Sequence, residues 1–194
     1  MTTTEQLDSV VLHSLRLKGR ATPPGLASAT GLDEETVQSL LEKNAGLGLV
    51  LQRTGRISGW MLTPEGRSQA EAALLAEKST VDASAAAERY DTEFLVLNDR
   101  FKQLCTDWQL GALDGFRATL DAVHHSNLEL LTALASSIPR LATYGPRFTA
   151  AYDRVLAGDK DALLRPMAES YHDIWLELHE DLLLLLDRER LETD

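Results

Sequence analysis

Hydrophobic residues recur every three or four positions along most of this chain, the spacing that places them on one side of an α-helix. The first such stretch covers residues 5–18, and its apolar stripe consists of Leu7, Val10, Val11 and Leu15. A second stretch begins at Thr22, which two prolines follow, and a third begins near residue 34. The pattern therefore predicts three short helices before residue 47.

Signals for helix ends separate these segments. Asp33 precedes the third helix, where its carboxylate can accept hydrogen bonds from the unpaired backbone N–H groups of the first turn. Gly46 and Gly48 follow the last apolar position and are predicted to end this helix. Gly31 stands at the turn before it and Val37 at its apolar anchor position, an arrangement typical of two helices joined by a tight turn.

After residue 46 the spacing changes from helical to alternating. Residues 47–51 alternate between Leu and other types, and residues 57–62 form a second β-rich run. The polar residues 53–56 between the two runs are typical of a β-hairpin turn. Thr63 followed by Pro64 predicts that another helix starts directly after the hairpin. Three helices followed by a hairpin, the wing, indicate a winged helix-turn-helix domain.

A weaker helical stretch suggests where this domain ends. Strong helix formers dominate from residue 64 to about residue 87, except at residues 79–84. We place a domain boundary there, which divides the chain into residues 1–78 and 79–194. The stretch lacks Gly and Pro, so it is consistent with a kinked or continuous helix as well as with a linker.

From residue 90 onward the chain is predicted to be helical almost throughout. Four amphipathic segments cover residues 90–108, 116–138, 141–156 and about 167–189. Gly145 and Pro146 are expected to force a turn that joins two bundle helices, with Arg147 just past it. The predicted fold class is therefore mainly α, a winged helix-turn-helix domain followed by an α-helical bundle.

Composition and charge narrow the range of partners. The chain has 194 residues, is 44% hydrophobic and carries a net charge of −11. Residues 1–78 hold 8 Lys and Arg against 9 Asp and Glu, so −10 of this charge lies in residues 79–194. Because phosphate binding draws its affinity from clustered Lys and Arg, the second half is not expected to bind DNA or an anionic membrane.

Membrane and redox signals are weak in this sequence. The longest aliphatic run, residues 182–186, is far shorter than a membrane span, and the N-terminus lacks a basic start and an apolar core. We therefore expect a cytoplasmic protein. The lone Cys105 excludes an intramolecular disulfide and a cysteine-based zinc site, and its apolar helical face predicts a small core residue.

Several segments resemble known proteins. The segments FLVLNDRFKQLCTDWQL, YGPRF and ESYHDIWLELHEDLL resemble a helical domain of actinobacterial proteins that follows a winged helix, in some cases beside phosphoenolpyruvate- or pyruvate-dikinase-like modules. LTPEGR is similar to the segment after the wing in many MarR-like regulators. The chain shows neither a nucleotide-cradling Gly-rich loop nor a phosphohistidine segment, so the resemblance implies no phosphotransfer activity.

The outer face of the third helix, together with the wing, is the first candidate site. Polar side chains on a recognition helix can meet base edges, and wing arginines can bind phosphate or enter the minor groove. The expected DNA contacts are Gln38, Ser39, Lys43, Arg53 and Arg56. Three carboxylates on the same helix oppose this use, namely Glu34, Glu35 and Glu42. DNA binding and protein contacts through the winged helix both remain open.

A second candidate site consists of large side chains in the bundle that combine an apolar body with a polar tip. They are Trp108, Tyr144, His172, Trp175 and His179. This set predicts a pocket for a small organic or anionic effector. As alternatives, the two histidines are core or interface residues hydrogen-bonded to a carboxylate, or metal ligands with help from Glu169, His124 or His125.

We predict no catalytic residue, cofactor or metal. No nucleophile with an adjacent base and no isolated carboxylate pair stands out in the sequence. Arg147 is expected to form an ion pair with a carboxylate such as Glu177, the alternative being an anionic ligand.

Together these features predict a transcriptional regulator that binds double-stranded DNA. It should be a homodimer joined mainly through residues 90–189, where apolar helices are available to hold two recognition helices in register. The alternative is a winged-helix module that does not bind DNA and instead regulates a partner enzyme. The resemblance would relate that enzyme to phosphoenolpyruvate or pyruvate.

Overall fold

The computed structural model describes residues 4–55, 58–112 and 114–189. Over these residues the protein is mainly α-helical, with one two-stranded antiparallel sheet. The chain divides into two compact units between Thr80 and Val81, close to the boundary expected after residue 78. Every described helix is too short or too polar to cross a lipid bilayer.

Three helices open the first unit. They are α1 (Thr4–Lys18), α2 (Pro23–Thr30) and α3 (Glu34–Gly46). Thr22 caps α2 by accepting a hydrogen bond from the Gly25 backbone N–H at 3.4 Å. Asp33 caps α3 by accepting from the hydroxyl of Thr36 at 2.7 Å and from its backbone N–H at 2.8 Å. These bonds lower the pKa of Asp33, and both predicted helix starts are confirmed.

The first strand starts later than the alternating pattern predicts. The two strands are β1 (Val50–Arg53) and β2 (Gly59–Leu62). Leu47 closes α3 instead of opening a strand, and the Leu49 N–H donates to the Asn44 carbonyl at 2.9 Å. Residues 47–49 alternate as a strand would, but they form the end of α3 and the turn that follows it.

The predicted hairpin is present as an antiparallel pair, with Arg53 opposite Gly59. Ala21, between α1 and α2, extends it by a single bridge to β2. The Ala21 N–H donates to the Trp60 carbonyl at 3.1 Å, and the Trp60 N–H donates back at 2.8 Å. Arg56, expected in the turn, and Ile57, expected to open the second run, lie outside the described residues.

The start of α4 (Pro64–Lys78) packs tightly against the chain that enters β1. Thr63 caps this helix, because its hydroxyl oxygen accepts from the Gly66 N–H at 3.0 Å while the hydroxyl donates to the Gly48 carbonyl at 2.7 Å. A Cβ atom at Gly66 would lie 1.9 Å from the Leu49 carbonyl oxygen. The predicted helix start is confirmed, and only glycine fits at the third position of α4.

One hydrophobic core holds the first unit together. It is built from α1, α2, α3, α4 and the hairpin, and its buried side chains include Val11, Leu12, Leu15, Leu26, Val37, Leu40, Leu41, Val50, Trp60 and Ala70. Of the predicted α1 stripe, Val11 and Leu15 are buried in this core and Leu7 packs against it, whereas Val10 is half-buried outside it. Val37, the predicted anchor of α3, is part of the core.

Four long helices make up most of the second unit, as predicted. Its elements are α5 (Ser84–Arg89), a π-helical turn (Tyr90–Phe94), α6 (Leu95–Leu110), α7 (Phe116–Ser137), a 3-10 turn (Pro139–Thr143), α8 (Tyr144–Leu156), α9 (Asp161–Leu164) and α10 (Tyr171–Leu185). Gly111 and Gly115 take left-handed conformations, with φ of 72° and 75°, and separate α6 from α7. A single core unites the long helices.

The turn expected at Gly145 and Pro146 is wrong in position. Both residues lie in the first turn of α8, where the missing N–H of proline would have no intrahelical partner in any case. The helical path is interrupted earlier, at Ile138, whose φ of −130° and ψ of 82° lie outside the helical region.

The last helix, Tyr171–Leu185, is shorter at both ends than predicted. Ser170 caps it by accepting from the Asp173 N–H at 3.1 Å, and the Asp173 carboxylate accepts from the Ser170 N–H at 3.3 Å. Met167 and Glu169, expected to be helical, have φ of 61° and 49°. These left-handed conformations stop a helix from starting there.

The close approach at Gly66 predicts a sharp cost for a single added methyl group. Gly66→Ala should lower the free energy of unfolding by about 3 kcal/mol, because the new Cβ must displace backbone atoms of Leu49. Gly46→Ala is the matched control, since a Cβ at Gly46 of α3 meets no atom within 4 Å. Chemical denaturation followed by circular dichroism would measure both. Equal stability of the two variants would contradict the packing at Gly66.

Candidate functional site

The outer side of α3 is strongly acidic in the structure. Its exposed residues are Glu34, Glu35, Ser39, Glu42 and Lys43, and Gln38 is partly buried beside them. Glu34 and Glu35 lie in the first turn of α3, where a negative charge stabilises the partial positive charge of the helix N-terminus. Glu42 lies near the other end of the helix and has no such role.

Two of the five expected DNA contacts are held by carboxylates of the protein itself. The Gln38 amide donates to Glu42 at 2.6 Å, one turn along α3. The Lys43 ammonium forms an ion pair with Asp8 of α1. Asn44 also donates to Asp8, at 2.9 Å, which makes this carboxylate a joint anchor for the C-terminal half of α3.

Asp8 is a residue that sequence reasoning missed. It lies 35 positions from Lys43, and spacing along one helix carries no signal for a contact between two helices. Arg53 and Ser39 are exposed, as expected for side chains that meet a partner. Arg56 lies outside the described residues.

Trp175 is part of the core of the second unit. Its side chain is buried, with its ring centroid 4.5 Å from that of Phe101 and 5.5 Å from that of Phe94. Its indole N–H donates to Asn98 at 2.9 Å, which satisfies the one polar atom of the ring.

The two α10 histidines occupy different environments. His179 is buried, and its Nε2 lies 2.9 Å from the Tyr90 hydroxyl. His179 is therefore a core residue, as the first alternative expects. The hydrogen bond described here joins it to a phenol. His172 is half-buried beside Phe101, with ring centroids 6.2 Å apart, and burial lowers its pKa.

The other two expected pocket residues lie on other helices. The Tyr144 hydroxyl, at the start of α8, donates to Asp181 at 3.0 Å, and burial followed by the charge of Asp181 raises the pKa of Tyr144. Trp108, near the end of α6, packs on Phe116 with ring centroids 4.9 Å apart. Each of the five expected pocket residues thus has a partner outside the set, and the effector pocket stays a prediction.

Arg147 forms the ion pair expected of it, and a second one as well. Its guanidinium lies 2.7 Å from Glu177 of α10 and 3.1 Å from Glu169. Burial alone lowers the pKa of Arg147, and the two carboxylates more than offset this, so the pKa is raised. Two carboxylates on one buried guanidinium leave no excess positive charge to attract an anionic ligand.

The segment before α10 is held by arginines in a conformation that sequence reasoning did not foresee. Glu169 binds Arg147 while its own backbone is left-handed. Arg154 of α8 donates to the carbonyls of Ala168 and Glu169 at 3.1 and 3.2 Å. These bonds offset the cost of the backbone conformation, which is of order 1 to 3 kcal/mol for such a residue.

Metal and thiol chemistry find little support in the described part of the chain. Within residues 4–55, 58–112 and 114–189, no group of three or more His, Cys, Asp or Glu side chains could hold a metal ion. His124 instead stacks flat on Tyr152, with ring centroids 4.0 Å apart. Cys105 packs at the edge of the core, and burial raises the pKa of its thiol to about 12.

Comparison with known proteins adds no family assignment. No protein-family model matches the chain, and no characterised protein or solved structure matches it significantly. The resemblance to MarR-like regulators therefore stays a prediction.

Removing Arg147 should be costly, because it takes away the positive charge that offsets the buried carboxylate of Glu177. Arg147→Met is expected to lower the free energy of unfolding by about 3 to 5 kcal/mol. Arg165→Met is the control, since Arg165 pairs with Asp161 in an exposed position where ion pairs contribute little. Urea titration of both variants measures the difference. A similar small effect at both positions would show that the Arg147 pair is not desolvated.

The histidines predict how stability depends on pH. Burial lowers the pKa of His124 and of His172 from the usual 6.5. Below pH 6.5 the unfolded chain therefore binds more protons than the folded protein at these two positions, so stability falls as the pH drops. The free energy of unfolding should decrease between about pH 6.5 and pH 5, and His124→Gln with His172→Gln should flatten this slope. An unchanged slope in the double variant would contradict the assignment.

Proposed function

We propose that the first unit is a winged helix-turn-helix domain that binds double-stranded DNA, and that the protein is a homodimeric transcriptional regulator. The observation that carries the proposal is the succession of elements in this unit. Three short helices, of which α3 is capped by Asp33 and exposed on its outer side, are followed by a two-stranded hairpin. In such domains the helix before the wing enters the major groove.

The packing of α3 supports its role as the recognition helix. Val37, Leu40 and Leu41 are buried against the first-unit core, so the opposite side, with Gln38 and Ser39, faces outward. This division leaves a row of polar side chains on a rigid helix, which is what base contact requires.

The hairpin supports the role of a wing. Arg53 is exposed at the end of β1, opposite Gly59, and the next residue of β2, Trp60, is bridged to Ala21 in the chain before α2. The bridge fixes the hairpin close to its turn, and a cation held there suits a phosphate contact.

The dimer is proposed to form through the second unit. Apolar side chains that remain exposed there are Val96, Leu110, Met167 and Leu176, of which Leu110 is 78% and Met167 70% exposed. These residues supply apolar area for a two-fold interface. The net negative charge of the unit disfavours contact with DNA phosphates, which leaves this surface free for dimerisation. An effector remains a further proposal. It would have to displace the present partners of Tyr144, Trp175 and His179.

Electrostatics provide the test of the DNA proposal, since the outer side of α3 presents more carboxylates than cations. Because few cations are available, Arg53→Ala should weaken binding to every duplex sequence, whereas Gln38→Ala should chiefly relax sequence preference. Log affinity should fall by roughly 0.9 per phosphate contacted for each tenfold rise in salt. Fluorescence anisotropy with duplexes from the region upstream of the gene, using the full chain, measures all of these.

Two further variants sharpen this experiment. Asp8→Asn removes the carboxylate that pairs with Lys43, so it should strengthen DNA binding and steepen the salt dependence. Arg165→Ala, in the second unit, is the control and should leave affinity unchanged. No binding by any variant at about 50 mM salt would overturn the DNA proposal.

One observation favours a second function, a winged-helix module that binds a protein. Gln38 and Lys43 are already engaged by Glu42 and Asp8, so the outer side of α3 presents mainly carboxylates. Such a surface suits a basic patch on another protein, such as the partner enzyme that the resemblance relates to phosphoenolpyruvate or pyruvate. Under this proposal Glu35→Lys abolishes partner binding, while under the DNA proposal the same change strengthens DNA binding.

A further inference from the structure

The charges of the first unit are segregated along its sequence. Residues 9–32 and residues 43–64 contain no Asp or Glu, and each segment contains three cations. Together the two segments hold most of the Lys and Arg of residues 1–78, namely Arg16, Lys18, Arg20, Lys43, Arg53 and Arg56. A unit that is nearly neutral as a whole can therefore present a basic surface where the two segments meet.

The two segments meet at the hairpin. Ala21 and Trp60 exchange two backbone hydrogen bonds, which fixes the connection between α1 and α2 against β2. The neighbours of this bridge are Arg20 on one side and Gly59 on the other, and Gly59 is the cross-strand partner of Arg53. The bridge therefore brings an arginine from each segment to the same part of the hairpin.

Gly59 makes room for the side chain of Arg20. A Cβ atom at position 59 would lie 3.0 Å from the Cγ of Arg20 and 2.9 Å from the Ala21 carbonyl oxygen. The φ of Gly59 is 151°, a value that residues with a side chain rarely adopt. Because position 59 has no side chain, the aliphatic stem of Arg20 can pack directly on β2.

Arg20 and Arg53 lie on the same side of the hairpin. Side chains alternate along a strand, so Met61 projects away from the side on which Trp60 enters the first-unit core. Leu51 pairs with Met61, and Arg53 follows Leu51 by two residues, so all three share this outer side. The Nη2 of Arg20 lies 3.3 Å from the Sδ of Met61, which places its guanidinium there as well.

Two guanidinium groups on one side of a hairpin suit the phosphates of a duplex backbone. Each guanidinium is planar, stays charged and can donate two parallel hydrogen bonds to one phosphate. The sulfur of Met61 is a weak acceptor, so its contact with Arg20 competes little with a phosphate. Arg20 is half-buried and has further interactions within the protein, which a phosphate would have to replace.

We propose that Arg20 binds the phosphate backbone of duplex DNA together with Arg53. This inference rests on the proposed DNA binding, and it adds a contact from the connection between α1 and α2 to those of α3 and the wing. It also separates the cations that bind phosphate from the carboxylates of the first unit, which lie outside residues 9–32 and 43–64. Because backbone contacts carry no sequence information, Arg20 should contribute to affinity and not to sequence preference.

Arg20→Met tests the proposal, because methionine keeps an unbranched stem against Gly59 and removes the charge. The variant should bind duplex DNA more weakly than the wild type. The ratio of the two affinities should fall about eightfold for each tenfold rise in salt, as expected for one lost phosphate contact. Fluorescence anisotropy of the full chain measures this with two labelled probes, a duplex from the region upstream of the gene and a scrambled duplex of the same length.

Arg20→Lys and Arg16→Met are the matched controls. Lysine restores the charge on a stem of similar length, so Arg20→Lys should recover the salt dependence of the wild type. Arg16→Met removes the same charge one turn earlier in α1, where the guanidinium lies 3.2 Å from Glu71 of α4. This variant should leave the salt dependence unchanged. Thermal unfolding followed by circular dichroism checks that each variant folds.

The outcomes separate this contact from DNA binding as such. A wild-type chain that binds neither duplex at about 50 mM salt overturns the proposed function and the Arg20 contact together. If the wild type binds, three results overturn the Arg20 contact alone. They are an unchanged salt dependence in Arg20→Met, an equal change in Arg16→Met, and a loss that affects only one of the two duplexes.

Discussion

Buried polar side chains constrain the second unit more sharply than its hydrophobic residues do, because a charge or amide inside a core costs free energy unless it is paired. Helix α10 carries three of them on its inner side, Glu177, His179 and Asp181. Arg147 of α8 pairs with the first, the hydroxyl of Tyr90 with the second, and Arg140 with the third. Apolar packing tolerates small rotations of a helix, whereas these pairs do not. They set which side of α10 faces each neighbour.

The same requirement explains the aromatic centre of this unit. Trp175 and Tyr171 lie one turn apart on α10, and Phe101 of α6 packs on both rings. Each of the two larger rings also carries a polar atom into the core. Asn98 accepts the indole N–H of Trp175, and the hydroxyl of Tyr171 lies 3.4 Å from the Nδ1 atom of His124. Aromatic area and hydrogen bonding are therefore satisfied by the same few residues.

In the first unit, the pairing of polar groups reaches the surface that is proposed to bind DNA. Asp8 of α1 binds Lys43 and Asn44, which stabilises the packing of α3 on α1. The same ion pair engages a cation that a DNA-binding helix would present to phosphates. Gln38 is engaged by Glu42 in the same way. Binding of DNA requires these pairs to exchange partners, while binding of a basic protein surface does not.

Local features could be predicted from the sequence because their causes lie within a few residues. The caps at Asp33 and Thr63, the hairpin that follows α3, and the four long helices all depend on neighbouring side chains and on apolar spacing. The sequence also predicts the ion pair of Arg147 with a carboxylate such as Glu177, and the structure contains it.

Only the tertiary structure decided contacts between residues far apart in the chain. The Asp8–Lys43 pair, the bridge from Ala21 to Trp60 and the left-handed Glu169 leave no trace in local spacing. Each depends on how two elements pack, and packing is selected by the free energy of the whole core rather than by any one segment.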